Sequence, residues 1–361
     1  MNVLHVSPTY YSDLSVIGGG ERYVLYCAKA LLSAAASGGV RGRATLVAFG
    51  DAPGWVDFPG DIRCEVVEGR PWDATSLNAS QIRQTVRGHD VVIVHQCLSA
   101  FGLFLACQAK LEDKLVIGLD HGGGEHPIVA RTPEAGAFFD LFQAYSTFGA
   151  RAFSDIQGRV VVIPGPVDDE FYTPERGDAK RGSKVVALGR IMPHKGFDRV
   201  IAALPEGLQL DIVGRGYDDE YSSYLRTLAS GKSVQFCADL DDEEVRSLLR
   251  QASIFVHAST HVDYRGTYYA KPELLGLAPL EALACGVPTL VSSAGSLPEL
   301  ACVDGCVCFG DDKELAALLR RHRNGEIAWP DPGAIHRDVS SRFGLAAYGT
   351  TLLQEIESVA K

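Results

Sequence analysis

Lys184-Val185-Val186-Ala187-Leu188, followed by Gly189-Arg190-Ile191-Met192-Pro193-His194-Lys195-Gly196 and then Phe197–Leu204, is the stretch on which the fold turns. A short, β-branched apolar run reads as a buried strand. The loop after it carries Arg190 and Lys195, five positions apart, and Gly196 precedes a helical stretch. Strand, loop and helix in that order are one step of a parallel, doubly wound sheet. Cations at the carboxyl end of such a strand stand where open parallel sheets bind ligands. Arginine offers a planar fork to phosphate oxygens, and lysine a mobile point charge. Position alone leaves a second reading open, that of two solvated surface cations.

The same alternation extends in both directions. Towards the C-terminus, Leu210–Val213, Val234–Phe236, Ile254–His257 and Pro288–Val291 read as further strands, separated by helical stretches such as Asp241–Gln251. Towards the N-terminus, Val3–Val6, Ala44–Phe49, Val91–Val94 and Leu115–Leu119 read as strands of a first set, ending near Val160–Pro164. In Glu21–Ala36 the residues Val24, Ala28, Leu31 and Leu32 share one helical face. The chain is therefore expected to be α/β, with two Rossmann-like halves joined near Pro164–Pro174, where prolines punctuate the pattern. In Phe343–Lys361, Leu345, Tyr348, Leu352 and Ile356 mark one side of a last helix.

The 361 residues suit two domains, each with its own core. A net charge of −11 argues against broad nucleic-acid binding, which needs a basic footprint, but leaves room for a local basic pocket. No apolar run approaches the roughly 20 residues that span a bilayer. Met1–Val6 enters a strand with no basic lead-in, so it does not read as a signal peptide, and the expected location is the cytoplasm. The nine cysteines form no Cys-x-x-Cys pair and read as reduced, mostly buried residues. Asp168-Asp169-Glu170 lies in the joint and reads as structural, so no metal site is expected.

Two further stretches carry chemistry. Gly18-Gly19-Gly20-Glu21 lets a ligand approach the backbone at a helix start, although it lacks the dinucleotide G-x-G-x-x-G spacing; the alternative is a loop that merely tolerates glycine. Lys271–Pro288 holds Glu273 and Glu281, eight apart. Pro279 suits a first helical turn and Gly286 a C-terminal cap. Gly276 and Leu277 would then offer N–H groups at a helix N-terminus. Glu281, within apolar Leu280–Ala284, needs a partner such as paired sugar hydroxyls, unless it is an exposed helix glutamate.

Taken together, Gly-Arg-x4-Lys-Gly, then Glu-x7-Glu before Ala-x-Ala-Cys-Gly-x-Pro, resembles the retaining family 4 glycosyltransferases. Val162–Asp168, Pro298-Glu299-Leu300, Asp304-Gly305 and Gly19-Gly20-x2-Tyr23 are similar to further family segments. Gly165 replaces the family's usual asparagine, and His261–Lys271, with three tyrosines, is longer than the common form. The resemblance implies the GT-B architecture, two Rossmann-like domains facing across a cleft. Residues 1–165 would bind the acceptor, 166–340 the nucleotide sugar, and the 341–361 helix would pack back on the first domain. Arg190 and Lys195 would bind the donor diphosphate, with Gly19, Gly20, Gly276 and Leu277 adding backbone N–H groups. Glu281 would hold the ribose hydroxyls, and Glu273 the transferred sugar or its phosphate. Phe236 would lie beside the base and His121 near the transferred sugar, with His95 and Asp120 as weaker candidates.

Glu273, His121, Arg190 and Lys195 thus form the expected catalytic set. The implied reaction is retaining transfer of a hexosyl unit from a UDP- or GDP-sugar co-substrate to a glycan or lipid-linked acceptor, as in surface polysaccharide or glycoconjugate synthesis. No metal or other cofactor is expected, nor nucleic acid as a partner. A lipid-linked acceptor would bring peripheral contact with the inner face of the membrane. The competing readings are a GT-B nucleotide-sugar epimerase or phosphorylase, a non-catalytic sugar-nucleotide scaffold, and an NAD-dependent oxidoreductase, which lacks its glycine fingerprint here.

Overall fold

The apolar runs become strands in a computed structural model of the chain, which describes residues 1–10, 19–58, 60–70, 78–121, 133–175 and 182–360. Two units are distinguished: Met1–Pro166 with Leu345–Lys361, and Val167–Gly344.

The first unit is built on eight strands: β1 Asn2–Tyr10, β2 Arg43–Gly50, β3 Gly54–Phe58, β4 Ile62–Glu68, β5 Val91–His95, β6 Leu115–Leu119, β7 Leu141–Ala144 and β8 Val160–Val162. Helices α1 Gly19–Ser37, α2 Ala79–Arg87, α3 Ala100–Lys110 and α4 Thr147–Ala150 connect them. The strand order is β3-β4-β2-β1-β5-β6-β7-β8. Every neighbouring pair is parallel except β3–β4, which is antiparallel. An entirely parallel sheet was the expectation, and this hairpin corrects it. β3 is mostly exposed, so it carries no apolar run to betray it, and Gly60 and Asp61, at φ 81° and 55°, make the turn. Central strands such as β5 are buried throughout and read as continuous apolar runs.

The second unit carries β9 Lys184–Leu188, β10 Gln209–Val213, β11 Val234–Cys237, β12 Ile254–His257, β13 Thr289–Ser292 and β14 Cys306–Phe309. Helices α5 Phe197–Ala203, α6 Asp219–Leu228, α7 Asp242–Gln251, α8 Leu277–Ala284, α9 Asp312–Arg323 and α10 Pro332–Phe343 complete it. The all-parallel order β11-β10-β9-β12-β13-β14 is the doubly wound 3-2-1-4-5-6 pattern. Its direction of winding reverses between β9 and β12. Local chemistry agrees with the winding. Asp241 and Glu244 form a reciprocal capping box that starts α7, for example.

The last helix, α11 Leu345–Val359, belongs to the first unit and lies along α1. Leu345, Tyr348, Leu352 and Ile356 are its buried face. Gly349 lets the helices meet closely, since a Cβ there would stand 2.1 Å from the Ala30 carbonyl oxygen. The Tyr348 hydroxyl donates to Gln143 Oε1 at 2.9 Å, and Arg159 pairs with Glu355. Among the described residues no helix is long and apolar enough to cross a membrane.

Candidate active site

In the second unit the reversal between β9 and β12 leaves a crevice beyond the strand ends, the usual ligand position in such sheets. The loop after β9 holds Arg190 and Lys195, the latter closing a 3-10 turn over Pro193–Lys195. Gly196 follows at φ 67°, and a Cβ there would stand 2.1 Å from the Ala258 carbonyl oxygen. Only glycine permits that approach. The β9 loop is thereby pressed onto the end of β12, which brings Lys195 to Glu273.

Lys195 Nζ donates to Glu273 Oε2 at 2.7 Å, and His257 Nε2 lies 2.8 Å from the same oxygen. Ser259 Oγ is 3.2 Å from His257 Nε2. The Lys195, Glu273 and His257 side chains are only 13%, 15% and 6% exposed. Burial alone would push the Glu273 carboxyl up. The Lys195 charge and the His257 hydrogen bond outweigh it and hold the group well below the usual carboxylate range. Burial lowers His257 despite the neighbouring carboxylate, so the ring is neutral at pH 7 and its Nε2–H donates. The outcome is an ionised carboxylate anchored through one oxygen by the Lys195 ammonium and the His257 N–H.

Arg190 is exposed and lies over the Tyr217 ring, 5.9 Å from its centroid, with no carboxylate partner among the described residues. His194, between the two cations, is held near pKa 4 by burial and then by the Lys195 and Arg190 charges. The loop thus carries two positive charges and not three.

The long His261–Lys271 segment is tied down on three sides. Tyr264 stacks on Tyr224 at 4.4 Å with the rings 4° apart, and Arg265 pairs with Asp218 at 3.0 Å. The Gly295 N–H donates to His261 Nε2 at 3.1 Å. Tyr269 lies 4.8 Å from the His194 ring, so the segment flanks the cationic loop. Gly276, at φ 95°, precedes α8, which starts at Leu277. Glu281 is buried on α8, 2% exposed, and is not the solvated helix glutamate that was the alternative. Phe236 is half-buried on the edge strand β11, with Arg226 over its ring at 5.1 Å.

In the first unit Gly19 and Gly20 are the opening residues of α1, so the helix begins two residues earlier than its apolar face indicated. His121 follows β6, and its Nε2 lies 2.6 Å from His95 Nδ1 at the end of β5. His95 Nε2 in turn lies 3.2 Å from His5 Nδ1 on β1. Asp120 is buried beside them. The Tyr23 ring, from α1, stacks on His121 at 5.7 Å.

Of the expected residues, the structure brings Lys195 to Glu273 and His95 to His121. Arg190, Phe236, Gly276, Leu277 and Glu281 are distributed over the loops and elements of the same unit. Sequence reasoning missed His257, Ser259, Tyr217 and His5. The usable signal was polarity inside apolar strands: His257 ends β12 and His5 interrupts β1.

Residues 168–325 match the family model described as glycosyl transferases group 1. A GDP-mannose-dependent monoacylated alpha-(1-6)-phosphatidylinositol monomannoside mannosyltransferase of Corynebacterium glutamicum is 31% identical over 182 residues, covering 44% of this chain and 45% of its own length. A GDP-mannose:cellobiosyl-diphosphopolyprenol alpha-mannosyltransferase of Xanthomonas oryzae pv. oryzae is 27% identical over 248 residues, 63% of this chain and 62% of its own. The aligned region thus spans between about half and three-fifths of those relatives. Among solved structures, Anabaena HepE in complex with UDP is similar with TM-score 0.74 at 18% identity, over 99% of this chain and 100% of that one. The chain has the GT-B fold.

Proposed function

We infer, from a segment 168–325 that belongs to the glycosyl transferases group 1, that the protein is a retaining glycosyltransferase. It moves a hexosyl unit from a nucleoside-diphosphate sugar to a hydroxyl of a glycan or lipid-linked acceptor, without a metal. The observation that carries this reading is the Lys195–Glu273–His257 cluster with Arg190, which has no carboxylate partner among the described residues, on the same loop at the β9/β12 reversal. Cleavage of the sugar–phosphate bond leaves negative charge on the nucleoside diphosphate. Fixed cations where that charge develops stabilise the transition state and need no reorganisation. Arg190 and Lys195 meet that requirement, with the Leu277 end of α8 supplying N–H groups. Glu273, anchored through Oε2, offers Oε1 to the hydroxyls of the transferred sugar, and Glu281 takes the ribose diol. Attack occurs on the face the diphosphate leaves, and a phosphate oxygen takes the acceptor proton.

The donors are UDP- or GDP-sugars: both mannosyltransferase relatives are GDP-mannose enzymes by name, and HepE was solved with UDP. A lipid-linked acceptor, of the kind those relatives' names describe, places the reaction at a membrane surface. Thermal-shift and calorimetric titration of the full chain against UDP-, GDP-, ADP- and dTDP-sugars tests the reading. A donor at about 100 times its Kd should stabilise the fold by roughly 2.7 kcal/mol, and Arg190→Ala should abolish the effect. Failure of a broad panel to bind a folded protein refutes the donor site. Conversion of the bound sugar with no acceptor present would make the protein an epimerase instead.

A further inference from the structure

We propose that His257 is a positioning residue for Glu273: it holds the carboxylate from a rigid strand, so that Lys195 can turn to the donor diphosphate without setting the carboxylate loose. This rests on the reading of Glu273 as the group that meets the transferred sugar.

Glu273 Oε2 has two donors of different kinds, Lys195 Nζ at 2.7 Å and His257 Nε2 at 2.8 Å. An ionised carboxylate only accepts, so the His257 ring carries a proton on Nε2. Ser259 Oγ, 3.2 Å from the same nitrogen, is then at most a second acceptor of that N–H.

The two donors differ in how firmly they are placed. Lys195 reaches the carboxylate from a loop, on a rotatable stem, with three N–H groups to distribute. The proposed function asks it to serve a phosphate as well. His257 is the last residue of β12, a strand paired with β9 on one side and β13 on the other, and it stands in register with Val291. Its side chain is almost wholly enclosed, and its ring lies 13° from parallel with that of Phe255, two residues back. Burial keeps the ring neutral at pH 7, with a single N–H. That N–H is committed to Glu273.

The main chain of Glu273 is fixed independently. The Ser296 N–H donates to the Glu273 carbonyl at 3.2 Å. Gly295, at φ 59°, packs so closely that a Cβ would stand 2.3 Å from the same carbonyl oxygen. The backbone is thus held from the loop after β13, and Oε2 is held from β12. A bond from lysine alone would fix a distance and leave the carboxylate free to rotate about it. With His257 added, the direction in which Oε1 faces is set before a ligand arrives, by groups on rigid elements. Lys195 is then the shared anchor and His257 the dedicated one.

Calorimetric titration of the full chain with GDP, UDP, GDP-mannose and UDP-glucose tests this without an identified acceptor. Glu273 is read as touching the sugar and not the nucleoside. Its contribution therefore appears in the ratio of the Kd of a nucleoside diphosphate to the Kd of its sugar conjugate. His257→Phe keeps an aromatic ring and removes the N–H. The ratio should fall by on the order of tenfold, with the Kd of the nucleoside diphosphate within about twofold. His257→Gln, whose side-chain amide places an N–H at a similar reach, should restore it. A ratio that falls in Glu273→Ala but not in His257→Phe would overturn the proposal and keep the reading of Glu273. A ratio unchanged in both would remove the sugar contact, and the proposal with it. Nitrogen-15 NMR of the histidine-labelled parent protein needs no variant: a His257 ring protonated at Nε2 is expected at pH 7, and a bare Nε2 would overturn the proposal.

Discussion

Replacing Lys195 by Met keeps the length of the side chain and removes its charge, which leaves the buried Glu273 carboxylate with the His257 hydrogen bond. At 2.7 Å and an effective dielectric of about 20, the lost attraction is about 6 kcal/mol, a ceiling that ignores the desolvation already spent in burying both ions. Removing one partner of a fully buried pair costs about 3–5 kcal/mol. Here His257 remains, and the 15% exposure of Glu273 admits some water. The expected loss is therefore about 2–3 kcal/mol. Glu273→Gln leaves Lys195 uncompensated in the same place and should cost a similar amount. The double variant should recover much of it, for a coupling of about 2 kcal/mol. The cycle is measured by guanidinium unfolding of the full chain in a Trp55→Phe, Trp72→Phe background, with Trp329 reporting the second unit alone. Coupling below about 0.5 kcal/mol would refute the view that Lys195 and Glu273 hold each other.

Three further outcomes follow from the same structure. Glu273 has its pKa depressed on folding, so its contribution to stability is complete above the unfolded value of about 4.3 and is lost as pH falls below it. The stability gap between wild type and Glu273→Gln should then be flat above about pH 5 and shrink in acid; a gap that grows on acidification contradicts the assignment. Gly196→Ala introduces a Cβ 2.1 Å from the Ala258 carbonyl oxygen at a positive φ. It should cost about 1–3 kcal/mol in thermal unfolding and displace Lys195 enough to lower turnover. Tyr348→Phe leaves the buried Gln143 Oε1 without its donor and should destabilise the first unit by about 1–3 kcal/mol, read as faster hydrogen exchange in α11.

The second sheet was almost fully legible because its strands are four- or five-residue apolar runs, most of them buried on both faces. β3 was illegible for the opposite reason, being an edge strand with most of its residues in water. In the site, residue types and local spacing pointed to Lys195 and Glu273, but not to their contact across 78 positions, which depends on Gly196 seating one loop against another strand. His257 was read as the end of an apolar strand, since a single imidazole does not break that pattern. The histidine chain joins positions 5, 95 and 121 through the adjacency of β1, β5 and β6. That adjacency is a property of winding order, and local periodicity carries no trace of it.

The chain leaves the first unit once, after Pro166, and returns once, at Leu345. The second unit is therefore a contiguous cassette, whereas the first is split in sequence. The two ends of the cassette are already tied to each other, since the Val167 N–H donates to the Phe343 carbonyl at 2.8 Å and Val167 bridges to Gly344. An insert whose ends meet adds little loop-closure entropy to its host. Residues 167–344 can thus be exchanged as one block for the corresponding block of another protein of this fold, with both junctions at a single place. Donor choice, which the proposed function assigns to that block, would travel with it, while α11 goes on closing the first unit.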